Sequence, residues 1–143
     1  MNNVSIFGYG TVGSGVYDYL KEDKGTEVKY IFGREDKREL LHNLLCTDWK
    51  KIIEDKEVDT IFECLGKDTL SYTIIKEALK HHKNVITSNK ETVSNHLEEY
   101  LDLAKENQVS FQFEASVGGE IPVLYNLMIQ STFEPIQEIY GIL

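Results

Sequence analysis

The sequence predicts an α/β domain: a doubly wound, mostly parallel sheet with helices on both faces. Two observations carry this. Short β-rich runs and amphipathic helical runs alternate along the 143 residues, the order that a parallel sheet with crossover helices requires. A glycine-rich turn, Gly8-Tyr9-Gly10-Thr11-Val12-Gly13, stands between the first strand-like run and the first helical one.

The elements follow in order. Residues 4–7 are β-rich and end in glycine. Over residues 11–22, Val12, Val16 and Leu20 recur at i, i+4 and i+8, an apolar stripe of helical period. Residues 28–32 read as a second strand. A polar segment at 34–39 leads into a helical run at 40–45, and residues 48–56 read as another short helix. The third strand is expected at 60–62, after Glu57 and Asp59. Between 68 and 81, Leu70, Ile74, Ile75, Ala78 and Leu79 fall on one side of a helix. Residues 84–87 read as the fourth strand, and Leu97, Leu101 and Ala104 mark the next helix. Val109, Phe111 and Phe113 alternate with Ser110 and Gln112, the pattern of a half-buried strand near a sheet edge. Pro122 suits the first turn of a last helix, with Leu124, Leu127 and Met128 inward. Residues 136–143 are β-like again.

Composition bounds the function classes. At 41% hydrophobic and 27% charged the chain has the make-up of a globular domain long enough to bury a core without staples. A net charge of −9 argues against nucleic-acid and anionic-membrane partners, which need clustered cations. It leaves room for a small phosphorylated ligand held by one local Arg and backbone N–H groups. Apolar runs are too short for a membrane span, and the N-terminus lacks the pattern of a secretory signal. Cys46 and Cys64 are too few and too far apart for a disulfide framework, so the cytoplasm is the expected compartment.

The glycine turn matches G-x-G-x-x-G. The pattern is weak alone, but here it follows a predicted strand and opens a predicted helix, the Rossmann-like context for a dinucleotide. Gly8 permits the tight turn, Gly10 lets a pyrophosphate approach the backbone, and Gly13 lets helix and strand pack closely. The N–H groups that begin the helix, at Thr11 and Val12, are free to meet the anion. The alternative is a merely tight strand–helix turn. After the second strand, an acidic residue would bond a ribose 2′-hydroxyl, whereas an Arg would accommodate a 2′-phosphate. Arg34 comes first there, ahead of Glu35 and Asp36, so NADP(H) is favoured and NAD(H) stays open. The competing reading makes Arg34 a solvated loop cation.

Three segments stand out when set together: G-Y-G-T-V-G-S-G-V at 8–16, N-V-I-T-S-N-K-E-T-V at 84–93, and F-E-A-S-V-G-G-E-I-P-V-L at 113–124. In this order and spacing the chain resembles the nucleotide-binding domain of homoserine dehydrogenase. The first segment is common to many dehydrogenases; the other two are far more specific. The resemblance implies an NAD(P)-dependent oxidoreductase that interconverts L-homoserine and L-aspartate 4-semialdehyde, on the route to threonine and methionine.

The resemblance also implies site residues. Lys90 matches the lysine of a T-x-N-K motif that lies at cofactor and substrate, and Ser88 matches a small-residue slot beside the cofactor. The position of Lys90 just past a strand agrees, because ligands of open α/β sheets bind beyond the carboxyl ends of strands. An ammonium there could stabilise alkoxide charge as hydride moves; the alternative is a surface lysine at a helix start. Residues 63–66 match a strand ending in Glu and a glycine pair against the cofactor. Here Gly66 is followed by Lys67, and Gly66 alone would admit the nicotinamide ribose. Cys64 reads as a small buried residue. The family holds a monovalent cation, usually sodium, with the Glu114 carboxylate and carbonyls at positions matching Val117, Gly119 and Ile121. Against this stands a glycine turn in which Glu114 caps a local backbone group. Glu120 takes the place of a frequent third glycine. His81 and His82 read as residues of a helix C-terminus rather than metal ligands.

Finally, the resemblance divides the chain into a nucleotide-binding domain, residues 1–133, and residues 134–143, the start of a strand leading into a substrate-binding and dimerising domain. The full-length enzyme would be a homodimer acting on homoserine and aspartate semialdehyde, and this chain alone would be inactive. The expected tail is unpaired or matched with another copy. Two other readings remain: a stand-alone dinucleotide-binding or sensor module, and another dehydrogenase such as an aspartate dehydrogenase. The segment E-A-S-V-G-G-E-I-P counts against the second.

Overall fold

The computed structural model describes residues 1–119 and 121–141. Its strands are β1 (Asn2–Phe7), β2 (Thr26–Phe32), β3 (Leu45–Cys46), β4 (Thr60–Glu63), β5 (Asn84–Thr87) and β6 (Phe111–Gln112). They form one six-stranded sheet in the order β3-β2-β1-β4-β5-β6, and every neighbouring pair is parallel. The helices are α1 (Thr11–Leu20), α2 (Arg38–Leu41), α3 (Trp49–Glu54), α4 (Asp68–Lys80), α5 (Lys90–Glu106) and α6 (Val123–Phe133).

Strand alternation splits the core in two. Ile6 and Ile31 face α1 and α2, where Val16, Leu20 and Leu41 pack against them. Phe7, Ile61 and Val85 share the opposite face with Ile52 and Ile53 of α3, Ile74, Ile75, Ala78 and Leu79 of α4, and Val93, Tyr100 and Ala104 of α5. The sheet is thus doubly wound, as the alternation predicts. Each fully buried Ile or Leu of α4 contributes roughly 1.5–3 kcal/mol of apolar burial, so this face carries much of the stability. α5 kinks at His96, and the kink is bridged by a 2.5 Å bond between the hydroxyls of Thr92 and Tyr100. The end of α3 is held by a buried cation: Lys83 donates from Nζ to the carbonyls of Asp55 and Val58, both at 2.7 Å.

Several expectations change. Residues 40–45 are not one helical run: α2 ends at Leu41, a 3₁₀ turn covers His42–Leu44, and Leu45 and Cys46 pair with β2 as a two-residue strand. So short a strand has no period to read. Val12 and Leu70 extend the apolar stripes of α1 and α4 but are exposed, each in the first turn of its helix. In α5 the buried face runs through Val93, Tyr100 and Ala104, leaving Leu101 exposed at its edge. α6 begins one residue after Pro122, yet it buries nothing: Leu124 and Leu127 are half-buried and Met128 is exposed. Residues 134–141 form no strand and stay exposed; a lone extended segment has no ladder partner to satisfy it. Ile142 and Leu143 lie outside the described residues. The edge strand expected around Phe111 is present, with Phe111 buried and Gln112 exposed.

Helices α4 and α5 both end with a left-handed residue, His82 and Gln108, each at φ +57°. The following amides close the ends, Lys83 to the Ala78 carbonyl and Val109 to the Ala104 carbonyl, both at 2.9 Å. Neither position is glycine, so both bear the steric cost of a Cβ at positive φ. Both side chains are exposed, but the His82 ring lies 3.1 Å from the Asn107 carbonyl, so Gln108 is the cleaner probe. Gln108→Gly is expected to stabilise the fold by about 0.5–1 kcal/mol, the relief of that strain less the added unfolded-state entropy. Urea unfolding checks it: the midpoint should rise with an unchanged slope, and a lowered midpoint would refute the strain.

Candidate functional site

The cleft is built from the exit of β1. Gly8 has φ +99°, and a Cβ there would come within 2.8 Å of the Cys64 carbonyl oxygen. Gly13 sits so close to that turn that its Cβ would lie 1.9 Å from the Gly8 carbonyl oxygen. These glycines therefore serve conformation and packing. Gly10 is different: a Cβ there would meet nothing within 4 Å. It caps α1 with extended backbone and no side chain, leaving the first amides of the helix facing open space. That space is the cradle a bound anion would fill.

The cleft measures about 590 Å³ and lies where strand order reverses, with β2 on one side of β1 and β4 on the other. Gly8, Tyr9 and Gly10 form its floor; Phe32, Gly33, Arg34 and Lys37 line the β2 side. Cys64, Leu65, Gly66, Lys67 and Leu70 line the β4 side. On the β2 side the charges sort themselves. Arg34 is 84% exposed and lies 3.2 Å from Asp36. Glu35 is engaged by Arg38 through two hydrogen bonds, and this guanidinium holds its carboxyl below the usual value. The cleft therefore receives Arg34 and Lys37, while Glu35 and Asp36 are not among its lining residues.

On the β4 side the chemistry is buried. The Glu63 side chain is fully enclosed and accepts from Leu65 N at 2.7 Å, Ser71 Oγ at 2.8 Å and Thr87 Oγ1 at 2.5 Å. Burial pushes its carboxyl above the ordinary value, against the pull of these donors. Burial likewise raises the Cys64 thiol to about 12, although Cys64 is half-buried at the cleft rather than fully enclosed as the sequence suggested.

Comparison with known proteins now bears on this geometry. The family model described as "Homoserine dehydrogenase, NAD binding domain" matches residues 8–114. The chain belongs to this family. It is 29% identical to the homoserine dehydrogenase of Lactococcus lactis, over 99% of this chain and 36% of that protein. The homoserine dehydrogenase structure from Thiobacillus denitrificans superposes with a TM-score of 0.81 at 28% identity, covering 92% of this chain and 33% of that one. A hyperthermophilic archaeal homoserine dehydrogenase, solved in complex with NADPH, matches with a TM-score of 0.74 at 25% identity, over 88% and 47% of the two chains. The chain thus spans about a third of the length of the first two relatives.

Within this homoserine dehydrogenase domain the structure gathers Gly8, Gly10, Arg34 and Gly66 around one cleft. Thr11 and Val12 are the first exposed residues of α1, and Gly13 is buried behind them. Ser88 and Lys90 lie past β5, outside the cleft's lining residues. Ser88 N donates to the Glu63 carbonyl at 3.3 Å, and Lys90 opens α5, exposed. Sequence reasoning missed Lys37, Lys67 and Leu70. Lys37 carries a signal in hindsight, since it sits one short turn after Arg34.

Glu114 stands in the Glu114–Ser116 turn and reaches forward to α6. Its two oxygens accept from Leu124 N at 3.1 Å and Tyr125 N at 2.9 Å. The Ile121 carbonyl accepts from Val123 N at 2.8 Å. Gly118 and Gly119 take positive φ, +72° and +59°, and Glu120 lies outside the described residues. Among the described residues no group of three or more His, Cys, Asp or Glu side chains is placed to hold a metal ion. Of the set Glu114, Val117, Gly119 and Ile121, the Glu114 carboxylate caps α6 in this structure. Glu114→Ala is expected to loosen α6 and cost about 1–2 kcal/mol. Amide exchange along α6 and thermal unfolding test this; unchanged protection in α6 would remove the capping role.

Proposed function

We propose that this chain is the cofactor-binding portion of an NAD(P)-dependent homoserine dehydrogenase, catalysing L-homoserine + NAD(P)⁺ = L-aspartate 4-semialdehyde + NAD(P)H + H⁺. The observation that carries the reading is the convergence of an open Gly10, uncapped α1 amides, and the cations Arg34 and Lys37 on one cleft. The α1 amides would receive the pyrophosphate, and Gly66 would leave room for the nicotinamide ribose. Arg34 and Lys37 would meet a 2′-phosphate, for which Arg34 would exchange its exposed pair with Asp36, while Glu35 is committed to Arg38. This supports NADP(H) over NAD(H), and the archaeal relative solved with NADPH supports it by analogy.

When bound, the nicotinamide supplies the hydride acceptor. The part left to this chain is orientation and charge. Lys90, at the start of α5, is proposed to donate a hydrogen bond to the substrate oxygen and stabilise alkoxide charge as the C–H bond breaks. Substrate capture, the main proton transfer and the homodimer are proposed to rest on further residues that these relatives carry beyond the third matched here.

Two measurements test the reading. Titrated with NADPH and NADH, this chain should bind NADPH more tightly, and Arg34→Ala should weaken NADPH at least about five-fold more than NADH. Equal weakening would refute the 2′-phosphate role. In a longer polypeptide carrying this domain, Lys90→Ala should lower kcat for homoserine oxidation by about 10²-fold with little change in cofactor affinity. An absence of homoserine oxidation in that unmodified polypeptide would sink the assignment.

A further inference from the structure

Glu63 ends β4 with its carboxylate fully buried at the point where the sheet meets the cleft. A buried carboxylate is costly unless donors satisfy it. An apolar side chain would fill the space without that cost, so the informative question is what only an acceptor can do there. Its donors come from separate elements: Leu65 N from the turn after β4, Ser71 Oγ from α4, and Thr87 Oγ1 from the end of β5.

Asn89 closes the arrangement. Its backbone amide donates to Thr87 Oγ1 at 3.0 Å. Its side-chain Nδ2 donates to the Leu65 carbonyl and to Ser71 Oγ, both at 3.0 Å. Its Oδ1 accepts from Thr92 N at 3.4 Å and so caps α5. One carboxylate thereby joins the Leu65-Gly66 wall of the cleft to the Ser88-Asn89-Lys90 turn.

We infer that Glu63 is a positioning residue for the nicotinamide half of the cleft, holding the turn after β4 and the start of α5 in one fixed relation. This rests on the dinucleotide reading of the cleft given above. A site whose walls are preset loses less free energy to ordering when its ligand arrives. The effect is one-sided. The β2 wall is attached independently, through Gly8 N to the Phe32 carbonyl at 2.9 Å. The adenosine half should therefore be indifferent to Glu63.

The test uses Glu63→Gln and, as a milder variant, Thr87→Val. Glutamine keeps the shape, but its amide nitrogen takes the place of an acceptor and leaves either the Thr87 hydroxyl proton or the Leu65 N and Ser71 Oγ donors without one. Calorimetry with NADPH and with 2′,5′-ADP, the adenosine half alone, reads the two ends of the cleft. NADPH affinity is expected to fall about five-fold or more, with 2′,5′-ADP within about two-fold of wild type. Equal losses for both ligands, or no loss for either, would overturn the inference. Amide exchange without ligand gives a second readout. Asn89 and Thr92 should exchange at least about ten-fold faster while Ser14, bonded to the Gly10 carbonyl, is unchanged. If the wild type binds neither ligand, the dinucleotide reading falls, and the exchange result still decides whether Glu63 positions the two turns. Should Glu63→Gln fail to fold, Thr87→Val, which removes a donor to Glu63 together with the acceptor of the Asn89 amide, is read at Thr92 and by the two ligands.

Discussion

The close approach of Gly13 to the Gly8 carbonyl sets the geometry of the domain. With 1.9 Å between that oxygen and the place of a Cβ, no other residue lets α1 lie so near β1. The approach puts the start of α1 over the end of the sheet, with its first amides aimed outward. Moving α1 outward by even the width of a methyl group would loosen its seat on Ile6 and Ile31, which depends on Val16 and Leu20. One steric constraint thus serves packing behind the turn and anion capture in front of it. Gly8 adds a second contact, against the Cys64 carbonyl, which ties the same turn to the β4 wall.

The two walls of the cleft use opposite physics. The β2 wall is exposed and cationic, and its carboxylates are held aside by local ion pairs. Exposed pairs of this kind add little stability, about 0–1 kcal/mol each, so Arg34 can leave Asp36 for a phosphate at small cost. The β4 wall is buried and polar, and its bonds run inward to Glu63. Such a network is costly to disturb. Recognition at the first wall is consequently adjustable, whereas the second wall is rigid. That suits a ligand whose adenosine end confers affinity and whose nicotinamide end must be placed for chemistry.

Much of this was legible in the sequence, for identifiable reasons. Strand–helix alternation and the glycine turn depend on local spacing, and local spacing is what a sequence displays. Gly8, Gly10 and Arg34 could be placed because the first βαβ unit holds its ligand residues within one stretch of chain. The β4 wall was less legible. Glu63 was visible only as the last residue of a strand, since the partners that give it meaning, Ser71, Thr87 and Asn89, arrive from two later elements. Leu70 and Val12 continue helical stripes yet stay exposed, because periodicity does not reveal which turns of a helix the core covers. Residues 134–141 show the same limit: β-like residues make a strand only where a neighbouring strand offers hydrogen bonds.

Charge raises a last question, how a domain with a net −9 captures a polyanion. The answer lies in range. At physiological ionic strength the screening length is about 8 Å, so acidic groups on far surfaces contribute little inside the cleft. What a phosphate meets within that distance is local. Arg34, Lys37 and Lys67 are the charged residues among the described lining of the cleft, and the nearby carboxylates of Asp36 and Glu35 are paired with Arg34 and Arg38. The outward amides of α1 add the positive end of a helix dipole. A negative domain can thus present a positive site. Selectivity for a small anionic ligand follows from placing few cations in a concave site and leaving the rest of the surface acidic.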